Sequence, residues 1–253
     1  MAYTVIIDAG HGGSDYGATY QGRREKDDTL RLALAVGEAL ELRCVNVEYT
    51  RTTDIYNTPF EKATIGNNSD ADLFLSIHRN AVPVPNTATG IETLVYDDNG
   101  LKARLARNIN EQLRLLGFTN RGVIERPNLV VLRRTRIPAV LVEVGFIDNE
   151  DDNEFFDENF QAIADAIANG VIDTIGVQCD NNQRLYRVQV GAFRIRENAD
   201  RLLNELKSRG YQAFIVMEDG LYKVQVGAFS VLDNAVKLET RLKRQGYDTF
   251  IAT

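Results

Sequence analysis

Short apolar runs bounded by turn-forming residues recur along the first two thirds of the chain, and helical spacing fills the intervals between them. Thr4 to Ile7, Val45 to Thr50, Leu73 to Ile77, Ile91 to Tyr96 and Val140 to Val144 predict strands. Leu30 to Leu42, Leu101 to Leu116 and Asn153 to Ile175 place apolar residues at helical intervals and predict helices. Strands separated by helices predict an α/β fold with a mostly parallel, twisted sheet and helices on both faces. Ligands of such sheets meet the loops at the carboxyl ends of the strands.

The pattern changes near the C-terminus, where the chain repeats itself. Leu185-Tyr186-Arg187-Val188-Gln189-Val190-Gly191-Ala192-Phe193 returns as Leu221-Tyr222-Lys223-Val224-Gln225-Val226-Gly227-Ala228-Phe229, an offset of 36 residues. Each copy starts with strand alternation, continues with helical spacing (Ala199, Leu202, Leu203, Leu206), and closes after Gly210 with a second short strand. Two such copies, 185–219 and 221–253, predict a small ferredoxin-like βαββαβ (α+β) domain. The stretch 176–183 has no periodicity and is rich in turn formers, so the chain is divided into residues 1–175, a linker at 176–183 and a domain at 184–253. Alternation turns Tyr186, Val188 and Val190 toward the helices and leaves Arg187, Gln189, Lys223 and Gln225 on an outward polar face.

Composition narrows the classes. With 253 residues, 44% hydrophobic and 26% charged, the chain is globular, not disordered or collagen-like. No stretch approaches the roughly 20 apolar residues of a membrane span. The opening Met1 to Asp8 lacks a cationic start and a long apolar segment, so membrane insertion and an export signal are not expected. Residues 184–253 carry 12 basic and 8 acidic side chains, a charge of +4 on a chain of net −7, too weak to argue for nucleic acid. The two cysteines, Cys44 and Cys179, have no Cys-x-x-Cys spacing, which excludes a thiolate metal site and a disulfide framework and predicts ordinary buried or linker thiols.

Two histidines are the whole imidazole supply. His11 lies in Asp8-Ala9-Gly10-His11-Gly12-Gly13 after the first predicted strand, and His78 closes the third. Glu143 interrupts the apolar run Ala139 to Val144, where an unpaired carboxylate is costly. It must be paired, for instance with Arg133, Arg134 or Arg136, or neutralised, or bound to something. Glu25, in Arg23-Arg24-Glu25-Lys26-Asp27-Asp28, has by its charge pattern the look of a solvated helix start. Two imidazoles with carboxylates and no thiolate are an inventory that permits catalytic zinc.

Four segments carry a resemblance: Val5 to Ala18 with its Asp-Ala-Gly-His-Gly-Gly core, Glu25-Lys26-Asp27, Leu75-Ser76-Ile77-His78-Arg79-Asn80-Ala81, and Pro138 to Phe146. In this order they resemble the motifs of zinc-dependent N-acetylmuramoyl-L-alanine amidases, over residues 3 to 175. The tandem Tyr-x-Val-Gln-Val-Gly-Ala-Phe unit resembles a SPOR domain, a module that binds peptidoglycan glycan strands. The resemblance implies a Zn2+ ion held by His11, Glu25 and His78, with Glu143 as the catalytic carboxylate. It also implies hydrolysis of the amide between N-acetylmuramic acid and L-alanine; the outward polar face of Arg187, Gln189, Lys223 and Gln225 is able to hydrogen-bond sugar hydroxyls and is the expected glycan-binding surface, the alternative being a merely solvated sheet face. Ala9 stands where the family usually has proline. The sixty-four residues between His78 and Glu143 are read as a strand, a helix and loops, leaving no room for the long inhibitory helix of division-associated relatives, so an uncovered site is expected. Made in the cytoplasm and acting at the wall after release, such an enzyme fits mother-cell lysis or phage lysis of a host cell. The competing readings are a zinc peptidase cutting within stem peptides and a non-catalytic wall-binding protein.

Overall fold

The structure, a computed structural model, describes residues 3–177, 186–211, 213–229 and 232–252. The chain divides into two compact units, Met1–Leu40 with Val45–Val177, and Glu41–Cys44 with Gln178–Thr253, so the division after Val177 falls within the stretch read as linker.

The first unit runs β1 (Thr4–Ala9), the two-residue strands β2 (Thr19–Tyr20) and β3 (Arg23–Arg24), α1 (Glu25–Glu41), β4 (Asn46–Tyr49), α2 (Pro59–Asn68), β5 (Leu73–Asn80) and β6 (Ile91–Val95). It continues with α3 (Gly100–Leu116), β7 (Asn120–Glu125), α4 (Val130–Arg134), β8 (Ala139–Phe146), α5 (Glu150–Glu158) and α6 (Phe160–Ile175). Six strands form one sheet in the order β4-β1-β5-β8-β6-β7. β4, β1, β5 and β8 are mutually parallel; β6 runs antiparallel to β8 and parallel to β7. The central strands read as near-continuous apolar runs because both faces are covered. Val5, Ile7, Leu75, Val140 and Val142 pack under α1, α3 and α6, while Ile6, Phe74 and Leu141 face α2 and α4.

Several elements depart from the apolar pattern. α1 begins five residues before Leu30, because its first turn is acidic (Glu25, Asp27, Asp28) and favours the positive end of the helix dipole without showing an apolar period. α2 is polar enough to hide, but its start is encoded: Thr58 and Glu61 form a capping box, with Pro59 in the first turn. The run Asn153 to Ile175 is broken at Asn159, whose side chain donates to the Phe155 carbonyl at 3.0 Å and caps one helix before the next begins. The helix between His78 and Glu143 is α3, whose Leu105, Ile109 and Leu113 are sunk in the core, and the remaining helix of that segment, α4, has five residues.

The second unit runs β9 (Tyr186–Phe193), α7 (Arg196–Ser208), β10 (Phe214–Glu218), β11 (Leu221–Phe229), α8 (Leu232–Arg244) and β12 (Phe250–Ala252). Its antiparallel sheet has the order β10-β11-β9-β12. Val188, Val224, Phe229, Leu206 and Leu242 make its core. The expectation of ordinary thiols is corrected at Cys44, which is disulfide-bonded. Charge and spacing could not show this, since disulfide formation depends on proximity in the fold. Cys179 lies outside the described residues.

Candidate active site

β1 and β5 end side by side, and their carboxyl ends deliver the two histidines. Gly10 donates its N–H to the Ile77 carbonyl at 2.9 Å, locking the turn after β1 onto β5. His11 then adopts φ 59°, a left-handed conformation that costs about 1–2 kcal/mol for a side-chain-bearing residue. The Arg51 guanidinium, 3% exposed, holds this turn by donating to the Ala9, Gly10 and Lys26 carbonyls. The turn cannot carry bulk: a Cβ on Gly10 would lie 2.6 Å from the His78 ring, and one on Gly17 would lie 2.5 Å from both Glu25 and His11.

Glu25, the first residue of α1, is 4% exposed, so the solvated helix start read from its charge pattern is wrong. Its carboxylate bridges the two imidazoles, with Oε2 at 3.1 Å from His11 Nε2 and Oε1 at 2.9 Å from His78 Nδ1. The backbone N–H groups of Ala18 and Arg79 donate to the same carboxylate at 2.9 and 3.0 Å. One donor atom from each of His11, Glu25 and His78 lies within 4.8 Å of the others. Asp15 receives His11 Nδ1 at 2.9 Å, a carboxylate behind the imidazole of the kind that orients metal ligands.

The electrostatics follow from this packing. Burial alone would raise the Glu25 carboxyl, but the two imidazoles outweigh it and hold it far below the usual range. Burial alone would lower His11, and Glu25 with Asp15 reverse the sign. Glu143 sits on β8 directly opposite His78 in the register. Burial pushes its carboxyl up to about 7, with Glu25 and Glu92 adding to the rise and His78 opposing it. Its Oε2 is shielded from solvent and has no hydrogen-bond partner, and no ion pair joins it to Arg133, Arg134 or Arg136 among the described residues. Of the options left open by the sequence, pairing with these arginines is not found among the described residues.

Beneath the site, Asp8 accepts from Thr50 at 2.6 Å, from Ser76 at 2.7 Å and from Lys62 at 2.9 Å, all in the interior. Arg79 is 2% exposed; it donates to Asp28 and Asn153 at 2.8 Å each and lies 4.2 Å over the Phe156 ring. It ties α1 to α5 while its own N–H holds Glu25. The sequence reading passed over Asp15, Lys62 and Arg79; only Asp15, four residues after His11, gave a local signal. Next to the histidines a cavity of about 280 Å³ opens between Asn57 and Pro59 on one side and Leu129, Val130 and Leu141 on the other.

In the second unit the outward polar face needs correction. Gln189 and Gln225 are only 3% exposed, although they occupy the face away from the helices. They sit opposite each other on the two central strands, and the register extends the row to Phe214, Gln225, Gln189, Phe250. Direct cross-strand neighbours lie about 5 Å apart, so the flanking side chains shield the amides. Phe214 and Phe250 are 44% and 53% exposed and were missed, because short strands of mixed residues do not reveal which side faces water. Lys223 is engaged by Glu218 at 2.7 Å and Asp219 at 3.2 Å, and Arg187 lies partly buried opposite Ala228.

The mostly parallel sheet gathers two imidazoles, Glu25 and Glu143 near the carboxyl ends of its central strands. Residues 5–173 match the family N-acetylmuramoyl-L-alanine amidase, and residues 182–253 match the SPOR domain. The chain belongs to the N-acetylmuramoyl-L-alanine amidase family and carries a C-terminal SPOR domain. It is 38% identical over 221 residues to a sporulation-specific N-acetylmuramoyl-L-alanine amidase of Bacillus subtilis, covering 85% of each chain. It is 40% identical over 221 residues to the amidase CwlM of Bacillus licheniformis, again with 85% of each covered. Among solved structures, an N-acetylmuramoyl-L-alanine amidase from Clostridium difficile 630 superposes with a TM-score of 0.65 at 36% identity, covering 69% of this chain and 97% of that one.

Proposed function

We propose that this amidase is zinc-dependent, that His11, Glu25 and His78 hold the ion, and that Glu143 moves the proton as the muramoyl–L-alanine amide is hydrolysed. The observation that carries the reading is the convergence of two imidazoles and one carboxylate within 4.8 Å, beside a carboxyl poised at about 7. Two nitrogens and one oxygen fit a three-ligand catalytic site that keeps a further position open. Zinc, when bound, supplies Lewis-acid polarisation of the scissile carbonyl and makes water acidic enough to attack at neutral pH. Asp15 fixes the His11 ring, while Gly10 and Gly17 keep the space around the donors free of side chains. Glu143 takes a proton from the attacking water and returns it to the departing L-alanine nitrogen; a carboxyl near neutrality serves both transfers.

The SPOR domain brings the enzyme to glycan strands, and the row Phe214, Gln225, Gln189, Phe250, with Arg187 beside it, is the surface offered to sugar rings. Among the described residues no helix is long and apolar enough to cross a membrane. The likeness along 85% of a sporulation-specific relative supports mother-cell lysis as its setting. The direct test incubates the full chain with purified walls and follows new amino groups. The expected products are L-alanine amino termini and about one zinc per chain in the active protein. New amines inside the stem peptide, or full activity after chelation, would overturn the proposal.

A further inference from the structure

The rim of the site holds a second feature that the chemistry of hydrolysis does not use. Tyr16, Ile55 and Tyr56 are 49%, 50% and 46% exposed, and they gather at the glycine turn that carries His11. Tyr16 stands between Asp15, which is bonded to His11, and Gly17, which packs on His11 and Glu25. On the other side of the turn, the Gly13 backbone lies against that of Tyr56, since a Cβ on Gly13 would come within 2.9 Å of the Tyr56 nitrogen.

One buried cation fastens the two sides. Lys26, 4% exposed, donates to the Gly13 carbonyl at 2.8 Å and to Asp54 at 2.6 Å, and its ammonium lies 4.7 Å from the centroid of the Tyr16 ring. Asp54 in turn accepts the Gly13 N–H at 2.7 Å. The Arg24 guanidinium adds a second contact at 5.2 Å from the Tyr16 ring. These contacts fix an aromatic side chain that stays half exposed to water instead of packing into a core. Exposed apolar groups clustered at the lip of a site mark contact surfaces, and pre-fixed aromatic rings bind with little entropy loss. The lip is continuous with the cavity, whose wall includes Asp15, Asn57 and Pro59.

We infer that Tyr16 and Tyr56 form a stacking subsite for a pyranose ring of the glycan strand next to the muramoyl residue being cleaved; this rests on the amidase reading above. A pyranose presents C–H groups on its faces and hydroxyls at its edge, matching a flat ring bordered by polar groups. A carboxylate-bearing stem peptide would instead need an unpaired cation. The cations of this lip are already taken, Lys26 by Asp54 and Arg24 by Asp27, each at 2.6 Å.

The test uses the full chain and two soluble substrates with the same stem peptide, one on a single N-acetylmuramic acid and one on a tetrasaccharide of alternating N-acetylglucosamine and N-acetylmuramic acid. The parent is expected to have the higher kcat/KM on the tetrasaccharide. Tyr16→Ala and Tyr56→Ala should each lose about fivefold on the tetrasaccharide, mainly in KM, and less than twofold on the single sugar. Tyr16→Phe and Tyr56→Phe should retain the preference, and zinc content should be unchanged throughout. Alanine variants that keep the parent's preference, or that lose equally on both substrates, overturn the subsite. A parent that releases no L-alanine amine from either substrate overturns the amidase reading instead.

Discussion

Glu143→Gln separates what the carboxyl does for catalysis from what it costs the fold. Burial moves this group from an ordinary value of 4.5 to about 7. The unfolded chain therefore releases its proton near 4.5 and the folded chain only near 7, so stability declines as pH rises through that window. A displacement of this size corresponds to about 3 kcal/mol against the ionised form, and the partial exposure of the residue brings the realised figure to about 1–3 kcal/mol. Glutamine keeps the shape and has no proton to lose. Urea unfolding of the metal-stripped full chain should show the variant gaining about 1–3 kcal/mol on the parent between pH 5 and pH 8.5. Amide hydrolysis by the zinc-loaded variant should fall about 10²–10⁴-fold. A stability difference that does not move with pH would refute burial as the cause of the shift. Activity within tenfold of the parent would refute the proton role.

Gly17→Ala adds a Cβ at φ +64° that would lie 2.5 Å from Glu25 and His11, so circular dichroism should remain native while zinc per chain drops well below one. His11→Ala and His78→Ala should lose zinc and hydrolysis together, measured by metal analysis and amine release. Arg79→Met removes one of two guanidiniums from Asp28, Arg23 remaining at 2.6 Å, and unties Asn153, and should lower stability by about 1–3 kcal/mol in a denaturant series; an unchanged midpoint would show the network to be dispensable. Phe214→Ala combined with Phe250→Ala should weaken pelleting with purified walls about tenfold. Lys223→Ala should change that pelleting little, since its ammonium is held by Glu218 and Asp219.

Period and run length were enough to read five strands of the six-stranded sheet, because a strand buried on both faces is apolar throughout; the edge strand β7, polar and half exposed, and the two-residue β2 and β3 gave no such run. They also exposed the duplicated module, since repetition needs no physical model to be seen. Polar helices were the gap: α2 and the first turn of α1 are held by caps, dipole and buried ion pairs, none of which has an apolar period. The same blindness misjudged Glu25: Asp27 beside it is ion-paired at the surface, while the Glu25 and Asp28 side chains turn inward, Glu25 to the imidazoles and Asp28 to Arg79. Glu143 was legible as an anomaly in an apolar strand, but only the register placed it beside His78, and its unpartnered oxygen told against a salt bridge. In the second unit alternation assigned the faces correctly and still misjudged exposure at Gln189 and Gln225, because accessibility depends on neighbours across the sheet.

The row Phe214, Gln225, Gln189, Phe250 reads the same from either end, a palindrome produced by duplication and antiparallel pairing. Polysaccharides have a reducing and a non-reducing terminus, and on the binding face proposed above this symmetry would present the same row to a strand running either way. Any sense of strand polarity would then have to come from the asymmetric catalytic unit.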